Sequence, residues 1–119
     1  MTDSATATPT GTIVWFELPS SDTERARDFY GSLFGWSFEQ FGELDYHASN
    51  GAAGAVYEDP STQGVMAYFG VADIDESTRQ VAELGGTAGE KQEIPGVGFY
   101  VQCVDLDGNK FGLYQGGAS

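Results

Sequence analysis

Residues 12–18 carry Ile13, Val14, Trp15 and Phe16, a run of β-branched and aromatic side chains that predicts a strand. Pro19 is expected to end it. Ser21-Asp22-Thr23-Glu24 then has the Ser-x-x-Glu form of a helix start. Ala26, Phe29, Tyr30 and Leu33 recur at helical spacing, with Arg25, Arg27 and Asp28 on the wet side. This predicts a helix to Leu33 or Phe34, with Phe29, Tyr30, Leu33, Phe34 and the following Trp36 in the core. Gly35 supplies the stop. Strands are expected at 36–41, 46–49 and 53–58, and Asn50-Gly51 is a hairpin signal between the last two.

The pattern then begins again. A strand over 65–71 precedes a helix capped by Asp73 or Asp75, with Ile74, Val81, Ala82 and Leu84 on its apolar side. Gly85-Gly86 ends that helix. Short strands follow near 87–93, 98–104 and 111–115, with Asp107-Gly108 as the second hairpin signal. The order is βαβββ twice. Asp22 and Asp73 lie 51 residues apart, as do Gly35 and Gly86. Asn50-Gly51 and Asp107-Gly108 lie 57 apart, so the second half carries six extra residues between its helix and its last hairpin. Landmarks repeating in this order predict an internal duplication.

The chain has 119 residues, enough for one domain without disulfides or a structural metal. Residues 1–10 read as a disordered tail with no signal-peptide pattern, and residues 11–119 as a single domain. Module one is expected at about 11–60 and module two at about 64–116. No run of 18 apolar residues occurs, so no membrane contact is expected and the cytoplasm is the default location. Five Lys and Arg against 18 Asp and Glu leave a net charge of −13. Such a surface repels nucleic acid and favours a cationic ligand, although the scattering of the acids also fits plain solubility or adaptation to salt. The single cysteine, Cys103, lies in an apolar run and reads as an inert buried thiol. The acid-rich stretch 105–109 lacks the ligand spacing of a calcium loop and reads as a turn.

Asp22, Phe29-Tyr30, Phe34-Gly35-Trp36, the Val71-Ala72-Asp73-Ile74-Asp75 run, Leu84-Gly85-Gly86 and Asp105-Leu106-Asp107-Gly108-Asn109 together resemble the vicinal oxygen chelate superfamily. That superfamily includes glyoxalases, bleomycin resistance proteins and extradiol dioxygenases. The resemblance spans residues 11–115 and implies an α+β fold of two tandem βαβββ modules. Their strands form a curled mixed sheet, a cup, with the helices outside. It also implies four metal-ligand positions in metal-dependent members, one on the first and one on the last strand of each module. These fall at Trp15, Ala55, Met66 and Gly112. None offers a donor suited to a divalent cation: the indole is donor only, Ala and Gly have none, and a thioether is soft.

The expectation is therefore no metal and no cofactor, with small residues at 55 and 112 leaving room instead. Strand alternation adds Glu17, Tyr57, Tyr68 and Tyr114 to the inner face, so the expected ligand-binding set is Trp15, Glu17, Ala55, Tyr57, Met66, Tyr68, Gly112 and Tyr114. This lining suits a small aromatic or cationic molecule. Glu17 and the only histidine, His47, are the candidate catalytic groups; Tyr46 and His47 point to opposite sides, and the pattern does not say which faces inward. The alternatives are a metal-dependent or metal-free lyase, isomerase or dioxygenase, or a non-catalytic dimerising module. A homodimer is expected, since sheet edges need covering.

Overall fold

The computed structural model describes residues 10–61 and 64–117. The tail expected at residues 1–10 lies outside the described residues except for Thr10. The fold is α+β, two βαβββ modules in tandem, and the chain divides into two compact units. One holds residues 15–66; the other holds residues 67–117 together with residues 10–14.

In the first unit β1 (Ile13–Ser20), which enters it at Trp15, leads into α1 (Thr23–Phe34), followed by β2 (Phe38–Gln40), β3 (Tyr46–Ser49) and β4 (Gly54–Glu58). The strand order is β2-β3-β4-β1, antiparallel except for the β1–β4 pair, which is parallel. Contrary to expectation, β1 runs through Pro19. The Phe16 N–H donates to Ala53 and the Ser20 carbonyl accepts from Asp59, so the backbone groups of residues 16, 18 and 20 face β4. The donor that Pro19 lacks falls on the other side, and no β1–β4 bond is lost.

The N-cap of α1 is Asp22, not Ser21: its carboxylate accepts from the Arg25 N–H at 3.1 Å. Gly35 ends the helix in the left-handed region at φ 77°. The expected core face of α1 is only partly right. Thr23 is buried, and Ala26, Arg27 and Tyr30 are partly so, whereas Phe29, Leu33 and Phe34 stay 56–60% exposed. The apolar arc of the helix is wider than the ridge a sheet can cover. Trp36 packs instead against Tyr30, Phe34 and Phe16 with ring centroids 5.1–6.2 Å apart. Gly51, read as a turn residue, has no positive φ. A Cβ there would lie 2.1 Å from the Trp36 indole, so Gly51 is the seat of that ring.

In the second unit β5 (Met66–Gly70) leads into α2 (Ile74–Glu83), followed by β6 (Thr87–Ala88), β7 (Gln92–Ile94), β8 (Gly98–Val104) and β9 (Lys110–Gly116). Strand β5 pairs parallel with β9, β9 antiparallel with β8, and both β6 and β7 with β8. The register on β8 advances by one residue between β6 and β7, so the two are halves of one strand broken by a bulge. That bulge takes up part of the extra length of the second module.

Asp73 caps α2 through the Glu76 N–H, and the Gln115 side chain accepts from the Ile74 N–H at 2.8 Å. Ile74, Val101, Cys103 and Leu113 form the core beneath α2. Ala82 and Leu84, expected on the apolar side, are exposed, Leu84 by 77%. Cys103 is buried, and desolvation pushes its thiol up from its ordinary pKa, which keeps it protonated and inert. The Asp105 carboxylate ties the β8–β9 turn by accepting from the Asp107 and Asn109 N–H groups, each at 2.9 Å. Hydrogen bonds from Asn109, first through its backbone and then its side chain, hold this carboxyl below its ordinary pKa.

Candidate functional site

The register of β1, β3 and β4 sorts the first unit's side chains by face. Glu17 lies opposite Ala55, and Ala55 opposite Ala48; Tyr46 lies opposite Tyr57. Paired and alternate residues share a face, so Trp15, Glu17, Tyr46, Ala48, Ala55 and Tyr57 stand together on the side away from α1. The hydrogen bonds agree. The Trp15 indole N–H donates to the Tyr46 hydroxyl at 2.8 Å, and that hydroxyl donates to Glu17 Oε2 at 2.7 Å. Glu17 is 9% exposed. Tyr46 and Tyr57 approach to 5.9 Å between centroids, and Phe41 edges onto Tyr46 at 6.2 Å. A carboxylate in this setting attracts a cation with little screening, and the ring faces add cation–π contact.

Tyr46 is the residue the sequence pattern did not single out. Its facing depends on the β3–β4 register, which the loop at residues 50–53 sets. That loop is longer than the two-residue turn that Asn50-Gly51 suggests.

His47 lies opposite Val56, on the α1 side of the same sheet. It is buried, and its Nε2 lies 2.7 Å from Asp45 Oδ1, which also accepts the Thr23 hydroxyl at 2.6 Å. Glu17 and His47 therefore stand on opposite faces and cannot act on one atom. His47 lines an open polar cleft of about 550 Å³, together with Ser21, Thr23, Arg27, Gln40 and Asp45. The Thr23 hydroxyl, followed by His47, holds the Asp45 carboxyl below its ordinary pKa of 3.8. A depressed carboxyl contributes stability that is complete above the unfolded-state pKa and lost as pH falls through the folded one. The stability advantage of the wild type over Asp45→Asn is thus expected to be full at neutral pH and to shrink as pH drops below 3.8, measured by urea unfolding across that range. An advantage independent of pH would remove the carboxylate from this account.

In the second unit Tyr68 lies opposite Gly112 and Gly70 opposite Tyr114, so Tyr68, Gly112 and Tyr114 share a face. Tyr100 and Gln102 stand opposite Tyr114 and Gly112 on the neighbouring strand and belong to the same face. The Gln102 amide donates to the Tyr68 hydroxyl at 3.2 Å, and the Tyr68 and Tyr100 rings meet edge-on at 6.1 Å. The Tyr114 hydroxyl donates to the Val97 carbonyl at 3.2 Å. One expectation fails here. Gly112 does not leave room, because the Tyr68 ring covers it: a Cβ would lie 2.1 Å from Tyr68 Cδ2.

The four positions that the family resemblance assigns to metal ligands do not fit a metal. The Trp15 indole nitrogen is a donor and is engaged by Tyr46. Ala55 is a buried methyl group, Met66 a buried thioether, and Gly112 lies under a ring. Among the described residues no three His, Cys, Asp or Glu side chains gather in a way that could hold a metal ion. No helix among them is long and apolar enough to cross a membrane.

A family model for the bleomycin resistance protein-like N-terminal domain matches residues 12–47, from the start of β1 into β3. In structure the chain is similar to a variant of Streptomyces coelicolor methylmalonyl-CoA epimerase in complex with 2-nitronate-propionyl-CoA. The identity is 17% and the TM-score 0.67, over 92% of this chain and 100% of that one. This is the vicinal oxygen chelate fold. The methylmalonyl-CoA epimerase of Mycobacterium tuberculosis shares it at 14% identity and a TM-score of 0.63, over 94% of this chain and 93% of that chain. So does homoprotocatechuate 2,3-dioxygenase from Brevibacterium fuscum in complex with 3,4-dihydroxyphenylacetate, at 18% identity and a TM-score of 0.69. There the match takes 91% of this chain but spans only 38% of the dioxygenase chain. Comparison with curated proteins found no match. Identities this low carry the vicinal oxygen chelate fold and not an activity.

Proposed function

We propose that this protein binds a small aromatic or cationic molecule, without a metal, against the β1–β3–β4 face of its first unit. The observation that carries the reading is the Glu17 carboxylate, 9% exposed and set among Trp15, Tyr46 and Tyr57. A buried carboxylate among ring faces discriminates by charge, and a flat cation satisfies both parts of it. The net charge of −13 favours the approach of cations and opposes phosphate-bearing molecules such as the CoA ester bound by the Streptomyces epimerase. The same consideration, with the lack of metal donors at Trp15, Ala55, Met66 and Gly112, sets binding ahead of metal-dependent lyase, isomerase or dioxygenase chemistry. The proposal includes a cytoplasmic location and a homodimer; the mass in solution, against 12.7 kDa for one chain, decides the latter.

The test is a titration followed by tryptophan fluorescence, with N-methylquinolinium as the cation and quinoline as its uncharged analogue at mildly alkaline pH. Saturable quenching is expected for both, with the cation bound about tenfold more tightly or better, the scale of one charge-assisted contact. Equal affinity for the two, or no saturable binding of either, would overturn the reading.

A further inference from the structure

Residues 45, 46 and 47 face alternate sides of the first unit's sheet. Tyr46 points to the Glu17 face, while Asp45 and His47 are held from behind. The Asp45 carboxylate accepts the Thr23 hydroxyl from the first residue of α1, and the same oxygen meets His47 Nε2. The Asp45 carbonyl accepts the Glu58 N–H at 2.9 Å, which fixes the same residue to the end of β4. Thr23 and His47 are 5% and 7% exposed, while the Asp45 side chain that joins them is half-exposed at the edge of the cleft. Arg27, one helical turn beyond Thr23, adds its charge to the environment of Asp45.

We infer that the Thr23–Asp45–His47 chain is a positioning device for Tyr46: it ties the N-terminus of α1 to both neighbours of Tyr46 and so sets where the Tyr46 hydroxyl stands between Trp15 and Glu17. The physical reason is the pleat. A strand residue pinned on each side from one face has little freedom to twist, so its own side chain projects from the other face at a fixed height. The Tyr46 hydroxyl must accept from Trp15 at 2.8 Å and donate to Glu17 at 2.7 Å, a geometry that a shift of a few tenths of an ångström would weaken. The consequence for ligand binding rests on the function proposed above; the positioning itself does not. Thr23, Asp45 and His47 are positioning residues and touch no ligand.

The Trp15 indole N–H reports the geometry directly, because its proton resonance moves downfield as its hydrogen bond to Tyr46 shortens. The chain has two tryptophans, and Trp15→Phe assigns the two indole signals. Thr23→Val keeps the shape of the side chain and removes its hydroxyl; Thr23→Ser restores the hydroxyl; Asp45→Ala removes the shared acceptor. The Trp15 indole signal is expected to move upfield in Thr23→Val and Asp45→Ala and to return in Thr23→Ser. N-methylquinolinium affinity is expected to fall about three- to tenfold in the first two variants and to recover in the third. If Asp45→Ala does not fold, the near-isosteric Thr23→Val still decides. An indole signal that stays at its wild-type position in folded Thr23→Val overturns the inference. If the wild type binds no N-methylquinolinium, the proposed function fails, and the indole signal alone judges the positioning device.

Discussion

Replacing Gly112 with glutamate is expected to destabilise the fold by about 3 kcal/mol or more; alanine is expected to cost about 1–3 kcal/mol. Gly112 is buried in the middle of β9, opposite Tyr68 on β5 and Gln102 on β8. A Cβ at this position would lie 2.1 Å from Tyr68 Cδ2 and 2.3 Å from Cε2. The ring cannot yield cheaply. Tyr68 is 5% exposed, its hydroxyl accepts from Gln102, and its edge packs on Tyr100. Alanine forces the ring aside, and glutamate adds a carboxylate with nowhere to be solvated. Gly116→Ala is the control: it lies in the same strand, has no positive φ, and its nearest neighbour would be 3.9 Å away. That variant should stay within about 0.5 kcal/mol of wild type. For a domain of this size the Gly112→Ala cost corresponds to a drop in Tm of roughly 4–12 °C by calorimetry. If Gly112→Ala melts with Gly116→Ala, the Tyr68 ring does not cover residue 112.

The second large effect is on affinity. Glu17→Gln is expected to weaken N-methylquinolinium binding by about ten- to a hundredfold, the range for losing a charge-assisted contact in a partly desolvated site. Glutamine has nearly the same shape and still accepts from the Tyr46 hydroxyl, so the Trp15–Tyr46–Glu17 arrangement should survive the change. Quinoline, which carries no charge, should bind wild type and variant to within about twofold. Stability should not suffer, since a buried carboxylate is itself costly to desolvate. Equal losses for the two probes would mean that Glu17 shapes the face without discriminating charge. No loss for either would place the ligand elsewhere.

Much of this architecture was legible in order along the chain. The helix starts were legible to within a residue or two, Asp22 capping where Ser21 was expected and Asp73 proving to be the cap of the two candidates at 73 and 75. Gly35 and Gly85 end the helices with positive φ, and the β3 boundaries fall where the apolar pattern puts them. These features depend on near neighbours: a cap needs one side chain and a backbone group three residues on, and a left-handed stop needs a residue without a Cβ. Parity along β1 was legible for the same reason, since Trp15 and Glu17 alternate with Phe16 and Leu18 whatever lies beside them.

What needed partners was not legible. Phe29, Leu33 and Phe34 fit a helical apolar face, but which ridge of α1 is covered depends on partners outside the helix, such as Trp36, whose ring packs on Tyr30, Phe34 and Phe16. Gly51 and Gly112 read as a turn and as empty space; in the fold each is the floor under an aromatic ring supplied from another strand or its approach. Tyr46 and His47 are adjacent in sequence, and only the pairing of β3 with β4 decides that the tyrosine meets Glu17 while the histidine goes under the helix. The sequence by itself determined the duplicated βαβββ order, the glycine stops of the helices and the acidic net charge, because composition and short-range hydrogen bonding settle these. Only the tertiary structure decided which rings cover which glycines and which residues share the Glu17 face, because strand register is set by long-range pairing and a slip of one residue turns every side chain to the opposite side.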